Sequence, residues 1–318
     1  MSFSAPHTLT EVAVPKSALQ SLSRCNVPPR HLASLQFQFA PSPLTLDGIL
    51  PMHKSLFAYL DQCRSRQERS DLFARYMTAH FLLDRPEDNG WHAGQQCDRR
   101  KADYRRLIQG WHMDSASREA AVLKAWVASR FGLTTRFHGG SLADADGKQV
   151  NAYTAACARG LYNTNALASQ LDLLYSYAQY ELERDTRYHN GLRLFRGIGD
   201  SREIRPLYRC GKAAVLLLNN LSSFAADKER ADEFGDSLFE SHLPRQKILC
   251  YDGLLPGVLQ SEAEFLVIGG LAYGQVIRLY SLSCDNRLCQ TRQRRRDVAQ
   301  DTFKTYGNQR LRMERRLL

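Results

Sequence analysis

Between residues 55 and 83, apolar side chains recur three or four positions apart, at Leu56, Tyr59 and Leu60 and again at Leu72, Tyr76 and Phe81. That spacing gathers each set on one side of a helix, so the pattern predicts amphipathic helices over 55–62 and 71–83, with their aromatics in the core. A third helix is expected after Asp114 or Ser115, either of which can cap it. Val122, Leu123, Trp126 and Val127 form its apolar stripe and Gly132 stops it, which places Trp126 in the interior. A fourth runs over 166–187, with Leu167, Leu171, Leu174, Ala178 and Leu182 on one face and charge on the other.

Near Asn190 the texture changes. Short apolar runs at 192–195, 213–218, 247–251, 264–268 and 275–282 are bounded by Gly, Pro or Asn and read as β-strands. One short helix, 227–234, interrupts them, opened by Asp227 and closed by Gly235. Helices first and strands second make an α+β plan rather than alternating βαβ units. Prolines at 6, 15, 28, 29, 41, 43 and 51 disfavour long helices in the opening segment. The chain therefore divides into a Pro-rich extended segment over 1–50, a mainly helical part over 51–190, a β-rich part over 191–286, and a basic tail over 287–318.

Composition narrows this picture only a little. A chain of 318 residues with 43% hydrophobic and 24% charged residues fits one large soluble domain or two intimate ones. No apolar run approaches the roughly 18 residues of a membrane span. The first 14 residues lack a basic start followed by an apolar stretch, so a cytoplasmic location is expected. Eight scattered cysteines, with no Cys-x-x-Cys, argue against a disulfide framework or a zinc site and for buried free thiols such as Cys250. Net charge is +10, but residues 287–318 hold ten basic against three acidic residues and so carry +7 of it. The charge is a terminal feature, a solvated tail or a docking element for an acidic partner, and not a nucleic-acid groove built into the fold.

Three segments hold candidate chemistry. In Leu194-Phe-Arg-Gly-Ile198, Arg196 can grip a pyrophosphate in bidentate fashion while Gly197 allows close approach to the backbone. In Leu216-Leu-Leu-Asn-Asn-Leu-Ser-Ser-Phe224, Ser222 and Ser223 can orient a carboxylate, and Phe224 can stack on a flat heterocycle. In Gln260-Ser-Glu-Ala-Glu-Phe-Leu-Val-Ile-Gly269, Glu262 and Glu264 share a face if the strand begins by Glu262. One carboxylate can then steady an oxocarbenium-like ribose and the other align a nucleophile. Taken singly, each has a plainer reading: a solvent-facing arginine, a polar turn, and two glutamates on the wet face of an edge strand.

In this order, the Arg-Gly pair, the serines and the Glu-x-Glu resemble the R-S-E class of ADP-ribosyltransferases. The surrounding residues are similar to the family within that class that acts on dinitrogenase reductase, the nitrogenase iron protein. The likeness is carried by Leu192-Arg-Leu-Phe-Arg-Gly197, Leu217-Leu-Asn-Asn-Leu-Ser-Ser-Phe224, Glu229-Arg-Ala-Asp-Glu-Phe-Gly-Asp236 and Glu262-Ala-Glu-Phe-Leu-Val-Ile-Gly-Gly270, and upstream by residues 121–133. It implies a helical N-terminal half packed on a core of two small, mainly antiparallel β-sheets. It also implies NAD as substrate, with its phosphates on Arg196 and its nicotinamide amide on the backbone of Gly197. Glu264 would be the catalytic glutamate, and Glu262 would select arginine as acceptor. The family's Ser-Thr-Ser appears as Leu221-Ser222-Ser223, which leaves open which serine braces Glu264. Phe224 and Phe234 are both candidate nicotinamide stackers, Phe234 being equally the last core residue of its helix. The implied activity is mono-ADP-ribosylation of an arginine of nitrogenase iron protein, inactivating it and regulating bacterial nitrogen fixation, with a PII-type signal protein as regulator and no metal. The alternatives are an NAD glycohydrolase, against which Glu262 argues, and a catalytically dead protein that binds through its basic tail.

Overall fold

Short polar side chains open the main helices. In the computed structural model, Ser65 accepts from the amide of Glu68, Asp103 from that of Arg105, and Ser117 from that of Ala120. Each satisfies a donor that the first helical turn leaves without an internal partner. The structure describes residues 12–277, apart from 86, 89–100, 144–146, 163, 165, 200–203, 236 and 259–263. The basic tail and Glu262 thus lie outside the described residues.

The helices come first: α1 (Pro29–Leu32), α2 (Leu35–Phe39), α3 (Ile49–Met52), α4 (Lys54–Leu60), α5 (Arg66–His80), α6 (Tyr104–Met113), α7 (Arg118–Phe131), α8 (Lys148–Gly160) and α9 (Ala166–Arg184). Within the Pro-rich stretch, residues 12–50 carry only helical turns of five residues or fewer. The cap of α7 is Ser117, not Asp114 or Ser115, because the chain first makes a turn in which Asp114 accepts from the amide of Ala116. Gly132 closes α7 in the left-handed conformation at φ 66°, as its position predicts, and Trp126 is buried. Tyr59 departs from expectation. It lies at the edge of its helix's apolar stripe and stays 60% exposed, while Tyr76 and Phe81 are half-buried against the core.

Among the described residues six strands follow: β1 (Leu192–Ile198), β2 (Arg205–Cys210), β3 (Ala213–Ala225), β4 (Ser237–Leu243), β5 (Ile248–Tyr251) and β6 (Glu264–Val276), with the short helix α10 (Lys228–Asp232) between β3 and β4. Two small sheets were expected. Instead one antiparallel sheet runs in the order β2-β3-β1-β4-β6-β5, and an extra β3–β6 pairing closes β3, β1, β4 and β6 into a small barrel. Closure is possible because β3 and β6 are long and kinked, with a register shift between Leu218 and Leu221. Gly269 sits opposite that shift. A Cβ there would collide with the carbonyl oxygen of Asn219, so the run predicted over 264–268 continues through Gly269 and Gly270 to Val276 in one strand that only glycine lets pass, while 278–282 of the run predicted over 275–282 lie outside the described residues.

β3 likewise continues past its predicted end, since neighbours engage the amide side chains of Asn219 and Asn220. Asn219 accepts from the amide of Arg136 and donates to Phe137 O, while Asn220 donates to Lys124 O. The helices cover this sheet, with α7 against β3, α2 against β6, α9 against β5 and α10 against β1. Buried ion pairs fix their mutual positions. Arg130 meets Asp172 in bidentate fashion at 2.7 and 2.8 Å, joined by the Trp126 indole, and Arg69 meets Glu181 at 2.6 and 2.9 Å.

The five described cysteines are free thiols. Cys250 is buried, and burial pushes its pKa up to about 12, but Cys210 is exposed and Cys25, Cys63 and Cys157 are half-buried. Cys210 corrects the expectation of burial, since it ends an edge strand. Among the described residues no helix is long and apolar enough to cross a membrane, and no cluster of His, Cys, Asp or Glu is arranged to hold a metal ion.

Candidate active site

Three strands converge on Ala225, the last residue of β3. It pairs with Phe195 of β1 on one side and with Glu264, the first described residue of β6, on the other. A cleft of about 300 Å³ opens at this junction, and Arg196, Gly197, Ser223, Phe224, Phe234 and Glu264 all line it. The fold therefore gathers six of the eight predicted site residues from four separate segments: β1, β3, the turn after α10 and β6. Ser222 faces the opposite way, and Glu262 lies outside the described residues.

The arginine and the glutamate are held differently. Arg196 donates through Nη1 to the backbone carbonyl of Ser223 at 2.7 Å, and its guanidinium carbon lies 5.9 Å from the centre of the Phe224 ring. The strand next to β1 thus anchors the group while its charge stays on the cleft wall. Glu264 is 12% exposed, and its Oε2 lies 3.0 Å from Nδ1 of His112. An ionised carboxylate only accepts, so in that state the imidazole Nδ1 carries the shared proton.

Alternation along β3 separates the two serines. Ser222 is fully buried, and its hydroxyl has no hydrogen-bond partner among the described residues. Ser223 turns to the cleft, where its Oγ accepts from the indole Nε1 of Trp111 at 2.8 Å. The two phenylalanines separate as well. Phe224 packs in the core under Arg196, whereas Phe234, in the turn after α10, is 65% exposed on the cleft wall. Phe234 is therefore not the last core residue of its helix.

Gly197 has a packing reason to be glycine. A Cβ there would collide with the carbonyl oxygen of Ala231 and lie 2.8 Å from the carbonyl carbon of Phe234. It is the returning α10 segment that needs the bare backbone, and Gly235 meets Ile198 and Gly199 in the same way.

Sequence reasoning missed the residues that α6 contributes. Trp111, His112 and Met113 from its last turn, with Asp114 and Ser115 just beyond, form one wall of the cleft, and Arg230 of α10 adds a second cation. A signal for α6 exists: Tyr104, Leu107, Ile108 and Trp111 are buried and spaced three or four apart. Beneath this wall lies the buried Lys124, which donates to Ser115 O at 2.8 Å and Phe137 O at 3.1 Å, with Nζ 5.4 Å from the Trp111 ring.

Chemically the cleft offers guanidinium groups for phosphate, an exposed aromatic face for a planar ring, and a carboxylate beside which positive charge can develop. A family model described as dinitrogenase reductase ADP-ribosyltransferase matches residues 22–275. A curated relative from Rhodospirillum rubrum, NAD(+)--dinitrogen-reductase ADP-D-ribosyltransferase, is 35% identical over 255 residues, covering 79% of this chain and 92% of the relative. No solved structure matches the chain.

Proposed function

The chain belongs to the dinitrogenase reductase ADP-ribosyltransferase family, and from that premise we propose that it transfers ADP-ribose from NAD to an arginine of nitrogenase iron protein. The observation that carries this reading is the convergence of Arg196, Phe234 and Glu264 on one cleft. Arg196 takes the pyrophosphate, with Arg230 on the same wall, and Phe234 is the aromatic accessible for the nicotinamide. Backbone at Gly197 holds the nicotinamide amide. Phe224 supports Arg196 from below, and Ser223 is the serine of the site.

As the bond between ribose C1′ and nicotinamide breaks, its electron pair leaves with nicotinamide. Glu264, bonded to the ribose hydroxyl, stabilises the cation left behind. A guanidinium nitrogen of the acceptor then forms the new bond and loses a proton. Glu262 orients that guanidinium and takes the proton, which is the reason for assigning arginine as acceptor. Modification of the iron protein inactivates it, and a PII-type signal protein gates the activity. The sheet closed around Ala225 serves on this reading as the NAD-binding core.

The test incubates the full chain with labelled NAD and purified iron protein. Label on the iron protein, located on an arginine by mass spectrometry, is expected, with Glu264→Gln at least about 100-fold slower. Label appearing only as free ADP-ribose would make the protein a glycohydrolase instead.

A further inference from the structure

We propose that His112, at the end of α6, is the positioning residue of the Glu264 carboxylate, an inference that rests on the transferase reading above. Among the described residues neither serine bonds the Glu264 side chain; its partner is the imidazole, at 3.0 Å. Ser222 points into the core, and Ser223 is engaged by Trp111, the residue before His112. One helical turn therefore holds both the serine and the glutamate.

The mounting is rigid. Tyr104, Leu107, Ile108 and Trp111 bury α6 along its length, and the amide of Tyr104 donates to Gln170 Oε1 of α9 at 2.8 Å. The bond from Nδ1–H holds Oε2 and stops the carboxylate rotating about its terminal torsion. Oε1 is then presented for the ribose hydroxyl. A donor that fixes orientation acts on the chemical step, because a carboxylate already aligned pays no reorganisation when charge develops.

The test compares His112→Phe with His112→Asn in the full chain, measuring kcat and KM for NAD together with thermal stability. Phenylalanine keeps the ring's bulk and loses the donor, whereas asparagine loses bulk but places an amide N–H close to where Nδ1 lies. The expected result is a fall of about 100-fold in kcat for His112→Phe, the scale of a misplaced reacting group, with KM changed by less than about threefold. His112→Asn should recover most of that kcat. A structural role predicts the opposite order, with phenylalanine the better replacement. That order, or equal activity of the two variants, or a loss in KM alone, would overturn the proposal. If one variant proves unfolded, the folded one decides: a folded phenylalanine variant with wild-type kcat, or a folded asparagine variant as slow as Glu264→Gln, also overturns it. A wild-type chain that consumes no NAD would instead remove the transferase reading on which the inference rests.

Discussion

At the scale of single residues, the two adjacent serines show how little a side chain's identity says about its job. Ser222 and Ser223 have the same chemistry, yet one faces the core without a partner among the described residues and the other receives the Trp111 indole at the cleft. Alternation predicts that they diverge, but Leu221 and Phe224 flank them with apolar residues on both faces, so the sequence does not reveal the phase. The register does, by pairing Ser223 with Leu266 and Ala225 with Glu264. Ser222→Ala should therefore leave stability unchanged or slightly higher, since it deletes a buried hydroxyl that makes no bond to any described residue. Ser223→Ala should cost about 1–3 kcal/mol by orphaning the buried indole N–H. Thermal unfolding of the two variants checks this, and a larger loss for Ser222→Ala would refute the assignment of faces.

At the scale of elements, helices with wide apolar stripes or clear caps were legible, and α6, α8, β2 and β4 were not. The stripes of α7 and α9 announce them, and Gly132 marks where α7 stops. α8 has a narrow stripe of Tyr153, Ala156, Cys157 and Gly160, three or four apart, but most of these residues are small and only Gly160 is fully buried, so the signal is faint. β2 contains Pro206 on a half-exposed edge, and β4 buries both Leu238 and Phe239, which breaks the alternation expected of a one-sided strand. Gly197 couples one such pair of elements, β1 and the α10 segment. Gly197→Ala should push the Ala231–Gly235 backbone away, destabilise the protein by about 1–3 kcal/mol, and raise KM for NAD by moving Phe234 and Arg230. Gly199→Ala is the control, since no described residue lies within 4 Å of the added carbon. Equal melting temperatures and KM values for both variants would show that this contact does not hold α10 in place.

For the whole molecule, the core tolerates a buried amine. Lys247 lies between the helical layer and the sheet with its Nζ 3.1 Å from Gly269 O, and burial lowers its pKa from 10.5 to about 7. Between about 7 and 10.5 the unfolded chain binds a proton that the native state does not, so this lysine makes stability rise with pH across that window and weighs most against folding near and below pH 7. Against Lys247→Met, the wild type should gain relative stability between pH 7 and pH 9.5 in denaturant titrations; a difference that does not vary with pH would contradict the burial of a titrating amine. The sequence by itself determined the α+β order, the helices α4, α5, α7 and α9, and where the arginine, serine and glutamate segments lie, because periodicity and motif chemistry are local properties. Tertiary structure alone decided that β3 and β6 close the sheet, which serine faces the cleft, which phenylalanine is accessible, and that α6 brings Trp111 and His112 to the site. Those outcomes depend on register and on contacts between residues far apart in the chain, such as His112 with Glu264, and no local pattern encodes them.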